Sequence, residues 1–115
     1  MTSDSLDNLK TRLREFAGER DWDQFHSPKN LSMALIAEAA ELIEHFQWLT
    51  QEESSNMPAD KLKEVGQELA DILIYIIMIA DKLGIDLVEA ADRKIDLNAV
   101  KYPAEKARGL ARKYT

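Results

Sequence analysis

Residues 60–84, DKLKEVGQELADILIYIIMIADKLG, decide the fold. The stretch opens with charges at helical intervals, runs through nine apolar residues from Ile72 to Ala80, and meets Gly84. It never alternates apolar and polar residues as a half-buried strand would, and a Gly just past the last apolar residue ends helices well. The spacing predicts a helix from about Asp60 to Leu83. Its apolar run is far too short to cross a bilayer, which takes about 20 residues.

The same grammar extends outward. The preceding link, TQEESSNMPAD, is polar and carries Pro58. Before it, Ser27 followed by Pro28 reads as an N-cap and first helical position, opening a helix that runs to about Leu49. The segment DWDQFHS, residues 21–27, reads as a loop. A first helix covers Asp4 to Arg20, with Leu6, Leu9, Leu13, Phe16 and Ala17 on one face. Beyond Gly84, Asp86 and Glu89 resemble a capping box, and Pro103 stops the last helix near Tyr102. Residues 104–115, AEKARGLARKYT, form a basic tail.

Four helices with short links predict an all-α protein, a four-helix bundle in a single domain over residues 1–115. Two segments, ALIAEAAELI and ILIYIIMIA, are apolar over more than one face. A chain of 115 residues has too thin a core to bury both, so a dimer or a tetramer built from dimers is expected.

Composition excludes whole classes of function. With no Cys there is no disulfide scaffold, thiolate zinc site, iron–sulfur cluster or Cys nucleophile. The N-terminus, MTSDSLDNLK, lacks the apolar core of a signal peptide. A cytoplasmic protein with no membrane association is expected. Net charge is -6, unevenly spread: residues 93–115 hold seven Lys or Arg against two acids, so the first 92 carry -11. Such acidity argues against a stable nucleic-acid partner and points to an acidic site that needs a cation.

The acids are placed unusually. Glu38 and Glu41 interrupt a run of Ala, Leu and Ile, while Glu68 and Asp71 directly precede the longest apolar run. Each pair is spaced i, i+3 and shares a helix face. Two such helices packed antiparallel aim four carboxylates at one place, and crowded like charges need compensation. An all-oxygen ligand set suits Mg²⁺, with Mn²⁺ as a substitute. Solvated helix faces also carry such pairs, so the competing reading is a non-enzymatic helical dimerisation module with surface acids. Glu44 and Glu64 extend the two series as outer-shell or exposed residues.

Weaker candidates surround these four. Trp22, Phe25 and Trp48 either cover bundle ends or stack a nucleobase. His26 sits in the loop between the first two helices. Tyr75 lies one turn after Asp71 on the same face. Lys94, Asn98 and Lys101 make a polar stripe, solvated or phosphate-facing. No Gly-rich phosphate loop is present.

At these residues the chain resembles the all-α nucleoside triphosphate pyrophosphohydrolases of the MazG-like superfamily. That family is marked by E-x-x-E on one helix and E-x-x-D on the next, here Glu38-Ala-Ala-Glu41 and Glu68-Leu-Ala-Asp71. RDWDQFHSPKNLSMAL, HFQW, DILIY, K-x-D-x-N and the terminal RKYT look like its dCTP pyrophosphatase branch. The likeness runs from about Leu13 to Thr115.

The resemblance implies hydrolysis of a nucleoside triphosphate between the α and β phosphates, with Mg²⁺ on Glu38, Glu41, Glu68 and Asp71. It implies that Trp22, Asp23, Gln24, Phe25, His26, Lys29, Asn30, Trp48 and Tyr75 form the nucleotide pocket. It implies that Lys94, Asn98, Lys101 and Tyr102 face the phosphates, partly from a neighbouring subunit of a homotetramer. A carboxylate not fully engaged with metal can take a proton from the attacking water, and Glu41, then Glu38, is read as that base. Within the same design a phosphoribosyl-ATP pyrophosphatase or a dimeric dUTPase is the alternative.

Overall fold

The computed structural model describes residues 3–110, so the RKYT motif lies outside the described residues. Every regular element among them is helical: α1 (Ser3–Glu19), a 3₁₀ turn (Asp23–Phe25), α2 (Pro28–Glu44), α3 (Gln51–Ser54), α4 (Ala59–Leu83), α5 (Leu87–Lys101) and α6 (Ala104–Ala107). The all-α expectation holds. No described helix is long and apolar enough to cross a membrane. The chain divides into two compact units, residues 1–84 and 85–115.

In the first unit α4 is the central element, packed by α2 and by α1. Glu68 of α4 lies beside Glu38, while Glu64, one turn earlier, lies beside His45, one residue past α2. Rising numbers on α2 therefore meet falling numbers on α4, and the two run antiparallel. Arg14 fastens α1 to α4 through a bidentate pair, Nε to Asp81 Oδ2 at 2.8 Å and Nη2 to Oδ1 at 2.5 Å. The guanidinium holds the Asp81 carboxyl below its ordinary range.

Helix ends follow local chemistry. Ser27 caps α2 by accepting from the Asn30 N–H at 3.1 Å, with Pro28 behind it. Gly84 closes α4 in the left-handed region at φ 68°. α2 stops at Glu44 rather than near Leu49, because the backbone over 45–49 tightens into shorter bonds such as Phe46 N–H to Ile43 O. The link that follows holds a helix the sequence reading passed over: Thr50 and Glu53 form a reciprocal capping box that starts α3. Likewise α6 occupies the start of the basic tail.

The end of α1 has a functional consequence. Asp21 takes φ 53°, the Trp22 N–H bonds the Ala17 carbonyl at 2.9 Å, and the Asp21 N–H bonds Gly18 O at 3.2 Å. This is a Schellman closure, and its usual apolar contact is present as Trp22 edge-on to Phe16, centroids 5.7 Å apart. The cap therefore sets where the indole sits.

Burial is sparse. Only Ala17, Leu31, Val65, Ile77 and Ala80 form the buried apolar core among the described residues. On α2, Met33, Ile36 and Ile43 are more than half exposed, as are Leu62 and Leu69 on α4. Asp tolerates the left-handed region, but a β-branched residue does not. Asp21→Val should therefore destabilise the protein by about 1–2 kcal/mol, whereas Asp21→Asn should stay near wild type. Thermal melts of the two variants check this.

Candidate active site

α2 presents Glu38 and Glu41 one turn apart, and α4 brings Glu68 against them. One oxygen from each of the three lies within 4.8 Å of the other two. Glu38 and Glu68 are half-buried and Glu41 is exposed. The Oε2 atoms of Glu38 and of Glu68 are buried with no hydrogen-bond partner. Three cations of the first unit are engaged elsewhere: Arg14 with Asp81, Lys82 with Asp23 and Lys61 with Glu64.

Such crowding shows in the proton affinity of Glu38. Burial first, then proton-sharing with Glu68 and Glu41, then the charges of Glu41 and Asp71, push its carboxyl up to about 7. Asp71 is not among the three clustered acids; it sits one turn beyond Glu68, exposed, and reaches Glu38 through its charge. Oxygen donors only, two of them buried and unsatisfied, fit a hard divalent cation.

A cavity of about 420 Å³ adjoins Asp71. Leu13, Phe16, Trp22, His26 and Tyr75 wall it together with Asp71. Its size is that of ordinary ligand pockets. Tyr75 joins cavity and cluster, since burial and then the charges of Glu38 and Asp71 raise its hydroxyl above the ordinary value. His26 stands edge-on to Trp22 with its Nδ1 buried and unpartnered.

The other residues singled out in the sequence divide into groups. Asp23 gives its carboxylate to Lys82 at 2.5 Å, tying the 3₁₀ turn to the end of α4. Gln24 folds its amide back on Asp21. Asn30 donates to the Phe25 carbonyl at 3.0 Å and so holds the turn. Phe25 and Lys29 are exposed. Trp48 is 87% exposed, beyond the far end of α2, and is not part of the cavity wall around Trp22.

In the second unit, Lys94, Asn98 and Lys101 are exposed along α5, and Tyr102 caps it through its N–H to the Asn98 carbonyl. Lys101 Nζ lies 5.4 Å from the Tyr102 ring centre.

Two residues escaped the sequence reading. Arg12 lines the cavity. His45 stands between Glu64 and Glu68, 3.9 Å from each. Its position one turn after Glu41 was the available signal.

Residues 34–115 match the model of the MazG-like family, a span that holds all four acids. It belongs to the MazG-like family. This MazG-like chain is 42% identical over 114 residues to the dCTP pyrophosphatase 1 of Homo sapiens and 41% identical over 113 residues to that of Mus musculus. Each match covers 96% of the chain but 66% of the relative's length. A solved pyrophosphatase from Archaeoglobus fulgidus superposes with a TM-score of 0.81 at 39% identity, over 86% of this chain and 93% of that one.

Glu38 makes stability depend on pH. Its ordinary value is 4.5 and the folded protein raises it to about 7, so between these values the folded state binds more protons than the unfolded one. Its stabilising contribution is complete below about 4.5 and is lost as pH rises through about 7. Metal-free protein should melt at higher temperature near pH 5 than near pH 8, and Glu38→Gln should flatten that slope.

Proposed function

We propose that the chain is a Mg²⁺-dependent nucleoside triphosphate pyrophosphohydrolase. It cleaves dCTP, or a modified dCTP, between the α and β phosphates and yields the monophosphate and pyrophosphate, cleansing the nucleotide pool. The observation that carries this reading is the continuity of two features. The Glu38–Glu41–Glu68 cluster and the aromatic cavity share Asp71 and Tyr75 as a common border. A base on the indole of Trp22 then has its phosphates beside the acids. Names of the relatives support the substrate class and the cytosine.

Glu38, Glu41, Glu68 and Asp71 would hold Mg²⁺. When bound, it supplies charge neutralisation for the triphosphate and acidifies a water. Glu38 and Glu68, with buried unsatisfied oxygens, are suited to ligation. Glu41 is the exposed member, and it would take the proton of the attacking water. The walls of the cavity exclude water from the base and orient it. Lys94, Asn98, Lys101 and Tyr102 are assigned to the phosphates, and Trp48 to a pocket completed by another copy.

Assembly is part of the proposal. Residues 1–115 are read as one domain, a four-helix bundle, and four copies as a dimer of dimers acting in the cytoplasm. The exposed apolar residues of α2 and α4 support association. Light scattering at micromolar concentration should give a tetramer; an active 13.1 kDa monomer would contradict it.

Catalysis gives the decisive test. Pyrophosphate release from dCTP, dTTP, dUTP and dATP should favour dCTP and vanish with EDTA. Glu38→Gln, Glu41→Gln, Glu68→Gln and Asp71→Asn should each slow turnover about 100-fold or more. Wild-type rates in all four would remove the site. Stacking contributes about 1–3 kcal/mol, so Trp22→Ala should raise KM roughly 10- to 100-fold and change kcat less.

A further inference from the structure

The side chain of His45 is 17% exposed, and its two ring nitrogens face two acids of α4. Nδ1 lies 3.9 Å from Glu64 Oε2 and Nε2 lies 3.9 Å from Glu68 Oε1. The spacing along α2 explains the encounter: Glu38, Glu41 and His45 are i, i+3 and i+7 and share one face. On α4, Glu64 and Glu68 are i, i+4 and share the facing one. Glu64 is held in turn by Lys61, Nζ to Oε2 at 3.3 Å. A row of alternating side chains thus leads from Lys61 through Glu64 and His45 to Glu68.

Glu68 sits at the end of that row with its oxygens divided. Oε1 is turned to the imidazole, and Oε2 is buried without a partner. Glutamate is long and loses much rotamer freedom when fixed, so a carboxylate that must meet a cation gains from a neighbour that holds it beforehand. We propose that His45 is a positioning residue that orients Glu68 for divalent-cation binding, with Glu64 orienting the imidazole in turn. This rests on the reading of the acidic cluster as a cation site.

A blander role exists on the same residue. His45 follows the last turn of α2, its N–H bonded to the Leu42 carbonyl, and an imidazole there complements the helix dipole. That role affects stability alone. An imidazole acting as a resident counter-charge would oppose a cation, so its removal would tighten metal binding. Positioning predicts weaker binding.

The experiment titrates Mn²⁺ into the metal-free 115-residue chain at pH 8 and follows free Mn²⁺ by electron paramagnetic resonance. Wild type should bind and Glu68→Gln should lose binding, which establishes the cluster independently. His45→Leu should then weaken Mn²⁺ affinity about 10- to 100-fold, with His45→Gln recovering part through its amide donor. Glu64→Gln should weaken it less, and Glu44→Gln not at all. In turnover, His45→Leu should raise the Mg²⁺ concentration for half-maximal rate while kcat at saturating Mg²⁺ stays within about threefold. Metal-free melts separate a cap role, which lowers the melting temperature without moving Mn²⁺ affinity. Unchanged or tighter Mn²⁺ binding in both His45 variants would overturn the proposal. No Mn²⁺ binding by wild type would overturn the cation site itself, and the inference with it.

Discussion

The antiparallel packing of α2 on α4 forces together groups that repel one another. Three carboxylates converge within 4.8 Å, and burial, then the neighbouring acids, raise the proton affinity of Glu38. Leu31 on α2 and Val65, Ile77 and Ala80 on α4 are the buried apolar residues of these two helices, while Leu69, between Glu68 and Asp71, stays exposed. A fold that is barely buried, with five residues forming its apolar core among those described, spends part of that packing on electrostatic strain. In the proposed reading a bound cation would relieve that repulsion, and stability and ligation would be coupled.

Around that contact the rest of the first unit acts as support. Arg14 and Asp81 fix α1 to α4, and the end of α1 delivers Trp22 onto Phe16. Asn30 and the Ser27 cap secure the turn that carries His26. Each of these is a local device with its own sequence signature. Together they place an aromatic wall next to a cluster of acids.

Local devices were what the sequence made legible. Ser27–Pro28, Gly84 and Asp86 mark helix ends by chemistry confined to a few residues, and the structure places the ends there. The paired acids were readable because i, i+3 spacing fixes a face. Less legible was the region after Glu44, where HFQW carries no breaker yet the backbone tightens out of helix. The Thr50–Glu53 box was present in the letters, but the polar link around it hid a helix of one turn. His45 required more, because its role depends on the register between α2 and α4, which no single helix encodes. For the same reason Asp71 could be placed on the face of Glu68 but not assigned its distance from Glu38.

The Asp23–Lys82 pair has a consequence for the response of the cavity wall to salt. Asp23 is exposed, Lys82 partly so, and the pair joins the 3₁₀ turn to the end of α4 through a charge contact rather than through buried side chains. Such a clasp is loosened by dissolved ions over a Debye length of about 8 Å at physiological ionic strength. The turn it restrains carries Phe25 and lies between Trp22 and His26 of the cavity wall. Ionic strength therefore bears on the 3₁₀ turn that lies between Trp22 and His26.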